Sequence, residues 1–488
     1  MNHTLYRLLC LVLCTLMLFS LLIACKDEKA PVDPGKQDPD REMTEAERVL
    51  SQFEKKDYGG KVEFMIAASS SYENRFVIEQ FTSDDDLNGN AVHDELFRRD
   101  NMIEAYFNIS IVYDDVLDSQ MANHISGSIS AGDDEYSLLL ANLGGTARTM
   151  FNNGYLRNLY DFEDIDLSQP WWNKKSVDNF EMNGKIFMAT GAITNRYVYA
   201  PYAMLFNTRL IGEWNMENPY DLVENDLWTM EMFALMIEDT YVDDGNGTVG
   251  LEDFYGLAPA SDSETAYYFA CGGQMVVKQD DILVPVYEEK INYDILQQVM
   301  DMYRTDDVLR FKETYDSNAT FKDGRAIFHS TALCDITMLS NMEDKYGIVP
   351  MPKYDEDQEN YISNANRSIS TMAVFPITVR DTKMAGLITE ALAAVSQYTS
   401  LDKQYDTVLL LRQALDEKSK RNLQLVVESV SYDWGYVFDV GQLKTLIAKN
   451  ILSRSDGISD DYESIRDVVR DDLDALIAKF YEQTQKGD

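Results

Sequence analysis

Apolar positions along this chain fall into two regimes. Residues 8–24, LLCLVLCTLMLFSLLIA, form a nearly unbroken apolar run behind one cation, Arg7, and the run stops at Cys25 before KDEKAPVDPGKQDPD. From about residue 60 the pattern changes to short blocks whose spacing switches between the strand period of two and the helix period of 3.6. KVEFMIAASSS (61–71) predicts a buried strand that runs into a polar loop, and AVHDELFRRDNMIEAYF (91–107) places Val92, Leu96, Ile103 and Phe107 on one helical stripe. NISIVYDDV (108–116) and YSLLLANLGG (136–145) predict two more strands. Further on, GKIFMATG (184–191), YAMLFNTRLI (202–211), YGIVPMP (346–352) and TMAVFPI (371–377) read as strands. LWTMEMFALMIEDTY (227–241), LITEALAAVSQYTS (387–400) and YESIRDVVRDDLDALIAKFYEQT (462–484) read as helices, the last with Ile465, Val468, Val469, Leu476 and Phe480 on its apolar face.

Strand, helix, strand in this order predicts an α/β fold with a parallel sheet and right-handed crossovers. In such sheets ligands meet the loops beyond the carboxyl ends of the strands. Two loops here qualify: Ser69, Ser70, Ser71 and Tyr72 after the first strand, and Asn142 through Thr146 after the third. Each is also readable as an ordinary solvent-exposed turn. Apolar strands recur far apart along the chain, which suits two lobes with the chain crossing between them more than once.

The N-terminal run has the basic start, apolar middle and small-residue end of a secretory signal peptide. Its last residues, LIAC, resemble the lipobox of bacterial lipoproteins, which implies cleavage after residue 24 and acylation of Cys25. The segment 25–58 is then read as the lipidated cysteine and a flexible tether, because its Lys, Asp, Pro and Glu cannot bury a core. This places the body on the outer face of the cytoplasmic membrane, held there by its lipid. An uncleaved membrane anchor is the alternative.

With 488 residues and a formal net charge of −40, the chain is long enough for two or more domains and repels nucleic acid. Five cysteines, of which only Cys271 and Cys334 follow Cys25, make no disulfide framework. There is no HExxH, no GxSxG, no P-loop and no strand-linked GxGxxG, so the common enzyme signatures are missing.

Several blocks in order resemble the extracellular solute-binding proteins of bacterial ABC importers, in the type 1 carbohydrate-binding group to which the maltose-binding protein belongs. They include VHDELFRRDNMIEAYFNISI, QPWWNKKSVDNFEMNGKIFMATGAIT, YAMLFNTRLI, DGRAIFHSTAL, YGIVPMPKYDEDQENY and ITEALAAVSQYT. The Gram-positive lipoprotein form is the most similar. The resemblance implies a type II periplasmic-binding-protein-like fold, with two α/β lobes joined by crossover hinge strands. It implies lobes of 59–200 with 352–398 and of 201–350 with 399–488, and hinges near Tyr199–Ala203, Pro350–Pro352 and Ser400. It further implies a non-enzymatic, monomeric receptor that hands a carbohydrate to ABC permease subunits. A surface glycoside hydrolase and a binding lipoprotein for a non-sugar solute are the alternatives.

Sugars are held by flat aromatic faces together with polar side chains that satisfy hydroxyls. On that basis Asn195, Tyr199 and Tyr202 near the first crossing, Asp262 and Tyr267 in the other lobe, and Asn366 with Arg367 after the second crossing are candidates. Trp434 and Tyr436 in SYDWGYVFD join them, each tyrosine being readable as core packing as well. QPWWN (Trp171, Trp172), Trp214 and Trp228 read as structural. VDDGNGTVGLEDF (242–254) has Asp244, Asn246 and Asp253 at EF-hand-like positions, which suggests a structural calcium, although Val242 stands where a carboxylate belongs. No other cofactor is expected.

Overall fold

The computed structural model describes residues 41–69, 71–72, 76–77, 81, 86–310, 314–411, 417–453 and 458–482. Cys25 and Ser70 lie outside the described residues. The strands used below are β1 (Glu63–Ala68), β2 (Ser110–Asp115), β3 (Leu138–Asn142), β4 (Tyr202–Asn207), β5 (Tyr255–Leu257), β6 (Val276–Gln279), β7 (Ile282–Pro285), β8 (Ala326–Ala332), β9 (Tyr346–Val349), β10 (Ser363–Asn364), β11 (Thr371–Val374) and β12 (Val430–Ser431). The helices are α1 (Glu45–Leu50), α2 (Ala91–Phe107), α3 (Lys174–Phe180), α4 (Ser263–Ala270), α5 (Thr382–Gln397), α6 (Ser400–Leu411), α7 (Glu417–Glu428), α8 (Trp434–Phe438) and α9 (Ile458–Glu482).

Two four-stranded sheets organise the chain, each the centre of one lobe. The first has the order β11-β3-β1-β2, with β1 parallel to β2 and β3, and β11 antiparallel to β3. The second has the order β9-β4-β8-β5, in which β8 is parallel to β5 and antiparallel to β4. Each is therefore mixed rather than purely parallel. The reason is topological: the chain returns to the first lobe from the second, and the returning strand β11 enters from the cleft side. The predicted strand at 184–191 contributes only isolated bridges, Lys185 to Met182, Ala189 to Ala373 and Gly191 to Trp172, and 202–211 divides into β4 and a short helix.

Local chemistry explains the element ends. The Asn90 side chain accepts from Val92 N and His93 N at the start of α2, and Asn108 closes it at φ 55°. The stripe predicted for α2 is buried at Val92, Leu96, Ile103 and Phe107.

The second and third crossings between the lobes fall later than the resemblance implied. The first, 199–203, lies beside the second at Pro201 and Ala365, and Asn366 N donates to Ala200 O at 2.8 Å. The second is thus at 363–366. Pro350–Pro352 is followed at once by Lys353, which bridges to Thr229 inside the second lobe. α6 packs on α2 of the first lobe and α7 on β9 of the second, so the third crossing follows residue 411 rather than Ser400. The tether is also shorter than 25–58: α1 packs on α5, burying Ala46, Val49 and Leu50. None of the described helices is long and apolar enough to cross a membrane.

α9 connects the lobes. Its 25 residues span about 37 Å at 1.5 Å per residue. Near its start Tyr462 packs edge-on to Tyr287 of the second lobe (4.8 Å), while at its far end Phe480 meets Phe151 (5.0 Å) and Phe187 (5.2 Å) of the first. Its buried face is Tyr462, Val469, Leu473, Leu476 and Phe480, with Val468 turned to solvent at 49 % exposure.

Candidate functional site

The carboxyl ends of β1 and β3 in the first lobe face those of β5 and β8 in the second across the crossing strands. Most of the residues expected to contact a ligand gather here, yet their polar atoms are largely engaged with one another. Asn142 accepts from Gly145 N at 2.7 Å and donates to the Ser368 carbonyl. The Ser69 carbonyl accepts from Arg196, whose other nitrogen pairs with buried Asp118 at 2.5 Å. Asn366 donates to the Tyr202 hydroxyl at 3.0 Å. Asp262, at φ 69°, accepts from Lys444 at 2.9 Å. Tyr199 is buried, and its carbonyl accepts from Cys334 N. Thr146 is buried with its hydroxyl unpartnered among the described residues. Ser71 and Tyr72 pair with Val77 and Phe76 in a two-stranded ladder, and Asn195 begins the 3-10 turn Asn195–Tyr197.

Arg367 closes the gap between the lobes. It donates to the Tyr436 carbonyl at 2.6 Å, lies over the Tyr436 ring at 5.4 Å, and pairs with Asp439 at 3.5 Å. Arg148 approaches the same Asp439 at 3.9 Å. Gly144 lets this happen, because a Cβ there would sit 2.9 Å from the Arg367 side chain. Burial, reinforced by the Arg367 charge, lowers the Arg148 pKa. Neither Arg148 nor Asp439 was singled out from the sequence. Arg148 starts a short helix and Asp439 is the left-handed residue that ends α8, and only tertiary packing brings them together.

The aromatic expectations are corrected by packing. Trp434 is 1 % exposed: it stacks on Phe438 at 5.1 Å and meets Phe180 and Phe480 edge-on, so neither face is open to a sugar. Tyr436 is buried against Phe269 at 5.3 Å, and Tyr267 is wholly buried beside Phe233 and Tyr303. Trp434 and Tyr436 thus pack where the two lobes meet, whereas Tyr267 belongs to the core of the second lobe. The Trp171 and Trp172 indoles both donate to Glu390, at 2.8 and 2.9 Å, which anchors the QPWWN segment to α5. Burial pushes the Glu390 carboxyl up to about 7. Burial, with the Asp262 charge adding to it, likewise raises Glu264 to about 7.

In the 243–253 loop, one oxygen each of Asp243, Asp244 and Asp253 lies within 4.8 Å of the others. The loop already supplies their donors. Asp253 accepts from Asp244 N, Gly250 N and the Tyr241 hydroxyl, and Asn246 accepts from Thr248. These hydrogen bonds hold the turn, and of the expected calcium ligands Asp244 and Asp253 fall in the carboxylate cluster, with Asp243 beside them in place of Asn246.

Between the lobes, beside the aromatic cluster, an open cavity of about 830 Å³ remains. Its walls are α3 of the first lobe, residues 272–278 of the second, and residues 360–362 and 431–433 beside the paired strands β10 and β12.

No family model and no curated protein matches the chain. Solved structures do. An ABC substrate-binding protein from Listeria monocytogenes, in complex with cycloalternan, is 12% identical with a TM-score of 0.55, covering 83% of this chain and 98% of that one. The GacH receptor of Streptomyces glaucescens, described unliganded and with acarbose, is 12% identical with a TM-score of 0.55, covering 85% and 99%. A cyclo/maltodextrin-binding protein complexed with maltotetraose is 11% identical with a TM-score of 0.56, covering 87% and 98%. The fold is that of the ABC substrate-binding proteins. At these identities the likeness speaks to architecture, and the ligand has to be argued from this chain's own residues.

Proposed function

We propose that this protein is a lipid-anchored extracellular receptor that closes around a carbohydrate and presents it to the permease of an ABC importer. The observation that carries the reading is the pair of lobes joined by chain crossings, the aromatic packing around Trp434 and the helix α9, with an open cavity whose walls come from both. A ligand that touches both walls favours the closed arrangement over an open one by its differential affinity, which is the property a permease can read. The sugar ligands of the solved structural neighbours support the carbohydrate class, and the LIAC sequence supports the anchor. Binding without turnover is expected.

The test is a thermal-shift panel of mono- and oligosaccharides on the mature chain, followed by calorimetry and small-angle scattering on any hit. Saturable binding with a more compact scattering profile is the expected result. A flat response across the panel refutes the carbohydrate reading. For the anchor, Cys25→Ser is expected to abolish metabolic labelling by palmitate, and continued labelling refutes it.

A further inference from the structure

We infer that the second lobe carries a protein-docking groove, separate from the cavity between the lobes, that takes a cationic amphipathic helix of a partner protein. The groove, of about 420 Å³, runs between the helices Met230–Ile237 and Lys290–Tyr303. None of its lining residues belongs to the first lobe or to the interlobe cavity, so the inference stands apart from the carbohydrate reading. Its floor is apolar. Leu235 is 59 % exposed, and Met230, Ala234, Ile237 and Met302 lie in the same groove. A single exposed leucine is ordinary, but one that lines a groove between two helices gives a partner's helical ridge somewhere to bury.

Charge decides what the occupant is. Glu231 and Glu238 stand four residues before and three after Leu235, so the three share one face of the helix. Neither carboxylate has a hydrogen bond or ion pair among the described residues. Glu238 caps the carboxyl end of its helix, where the helix dipole is negative and favours a cation, yet the last turn holds no basic residue. The helix Lys290–Tyr303 repeats the conflict, with Asp301 in a last turn that also lacks a basic residue; its cap, Arg304, pairs with Asp301 at 3.2 Å. The two negative helix ends lie at one end of the groove, tied there by Asp307, which accepts from Thr240 N at 2.8 Å and Tyr241 N at 2.9 Å. Glu231, Glu238, Asp301 and Asp307 thus line a groove to which, among the described residues, no lysine or arginine contributes. Two helices that break the same local preference in one place mark a site for an outside cation rather than a packing need.

Spacing sets the partner's pattern. Glu231 and Glu238 are two helical turns apart, about 10.5 Å along the axis. A helix laid in the groove meets them with Lys or Arg at i and i+7, and fills the floor with apolar residues at i+3 and i+4. A metal ion or a soluble amine would use the carboxylates but leave Leu235 in water. A neutral apolar segment would bury Leu235 but leave the carboxylates unpaired. Only a segment that is both cationic and apolar answers both walls.

The test follows the fluorescence anisotropy of a labelled peptide of three KAALLAA heptads titrated with the mature chain. Peptides of three EAALLAA and three KAASSAA heptads control for charge and for apolar contact. The variants are Leu235→Ser and Glu238→Lys, both at exposed positions so that the fold is kept, and Asp133→Lys, the same charge change at an exposed position of the first lobe. Saturable binding of the KAALLAA peptide is expected, tenfold or more weaker for either control peptide and for either groove variant, and within twofold of the parent in Asp133→Lys. Equal loss in Asp133→Lys, or equal binding of the KAASSAA peptide, shows general attraction to an acidic chain and overturns the inference. A dimer in sedimentation that Leu235→Ser abolishes gives the groove to a second copy, and phosphatidylcholine-vesicle binding that Leu235→Ser abolishes gives it to lipid; either overturns the inference. Absence of peptide binding overturns it as well.

Discussion

Truncating Phe480 to alanine tests whether α9 straps the two lobes together. The ring is 4 % exposed and sits among Phe151, Phe187 and Trp434, with centroids 5.0, 5.2 and 5.7 Å away. A buried phenylalanine removes about 150–250 Å² from water. At about 25 cal/mol per Å² that is roughly 4–6 kcal/mol, an upper limit because the unfolded chain already buries part of it. Phe→Ala changes in cores cost about 3–5 kcal/mol, consistent with this. The chain has a cheaper escape, since the last turns of α9 can undock from the first lobe while the rest of the fold persists. The expected result is therefore a lower urea midpoint together with faster proteolysis near the end of α9 and a larger radius of gyration. Val468→Ala, on the same helix but 49 % exposed, is the control and is expected to stay within about 0.5 kcal/mol of the parent. Unchanged stability, protease resistance and scattering in Phe480→Ala would refute the strap.

Other consequences can be measured directly. Arg367→Ala removes a charged hydrogen bond to the Tyr436 carbonyl and the pairing with Asp439; at about 1.5–3 kcal/mol it should shift the lobes roughly 10- to 100-fold toward opening, seen as a larger radius of gyration without ligand. An identical profile would show that the contact does not hold the lobes. Glu264 and Glu390 have folded-state pKa values raised from 4.5 to about 7, so the folded protein binds more protons than the unfolded chain between those limits. Their contribution favours folding below about pH 4.5, is lost as pH rises to about 7, and changes little above it. Melting temperatures should therefore fall from pH 5.5 to 7.5, less steeply in Glu264→Gln, and equal slopes in parent and variant would refute the assignment. Millimolar calcium tests the Asp243, Asp244 and Asp253 cluster: a saturable rise in melting temperature that is lost in Asp244→Asn is expected of a metal site, and an unchanged melting temperature refutes it.

Much of the architecture follows from local pattern. The stripe of α2, the strand cores of β1 and β3, and the amphipathic repeat of α9 are set by which residues must leave water, and periodicity records that choice directly. Even there one position misleads: Val468 and Val469 are neighbours about 100° apart on the helix, and only the shape of the surface beneath decides that Val469 is the buried one. Which aromatic ring stacks on a ligand and which fills the core has no local signature. Trp434 is buried because Phe180 of the first lobe and Phe480 of the last helix arrive from 254 and 46 residues away in sequence. The same holds for Arg148, Arg367 and Asp439, whose meeting depends on how two lobes face each other. Sequence determines what each segment must bury. Tertiary structure decides which polar groups find partners inside the protein and which, like the Asn179 amide nitrogen, are left without one among the described residues.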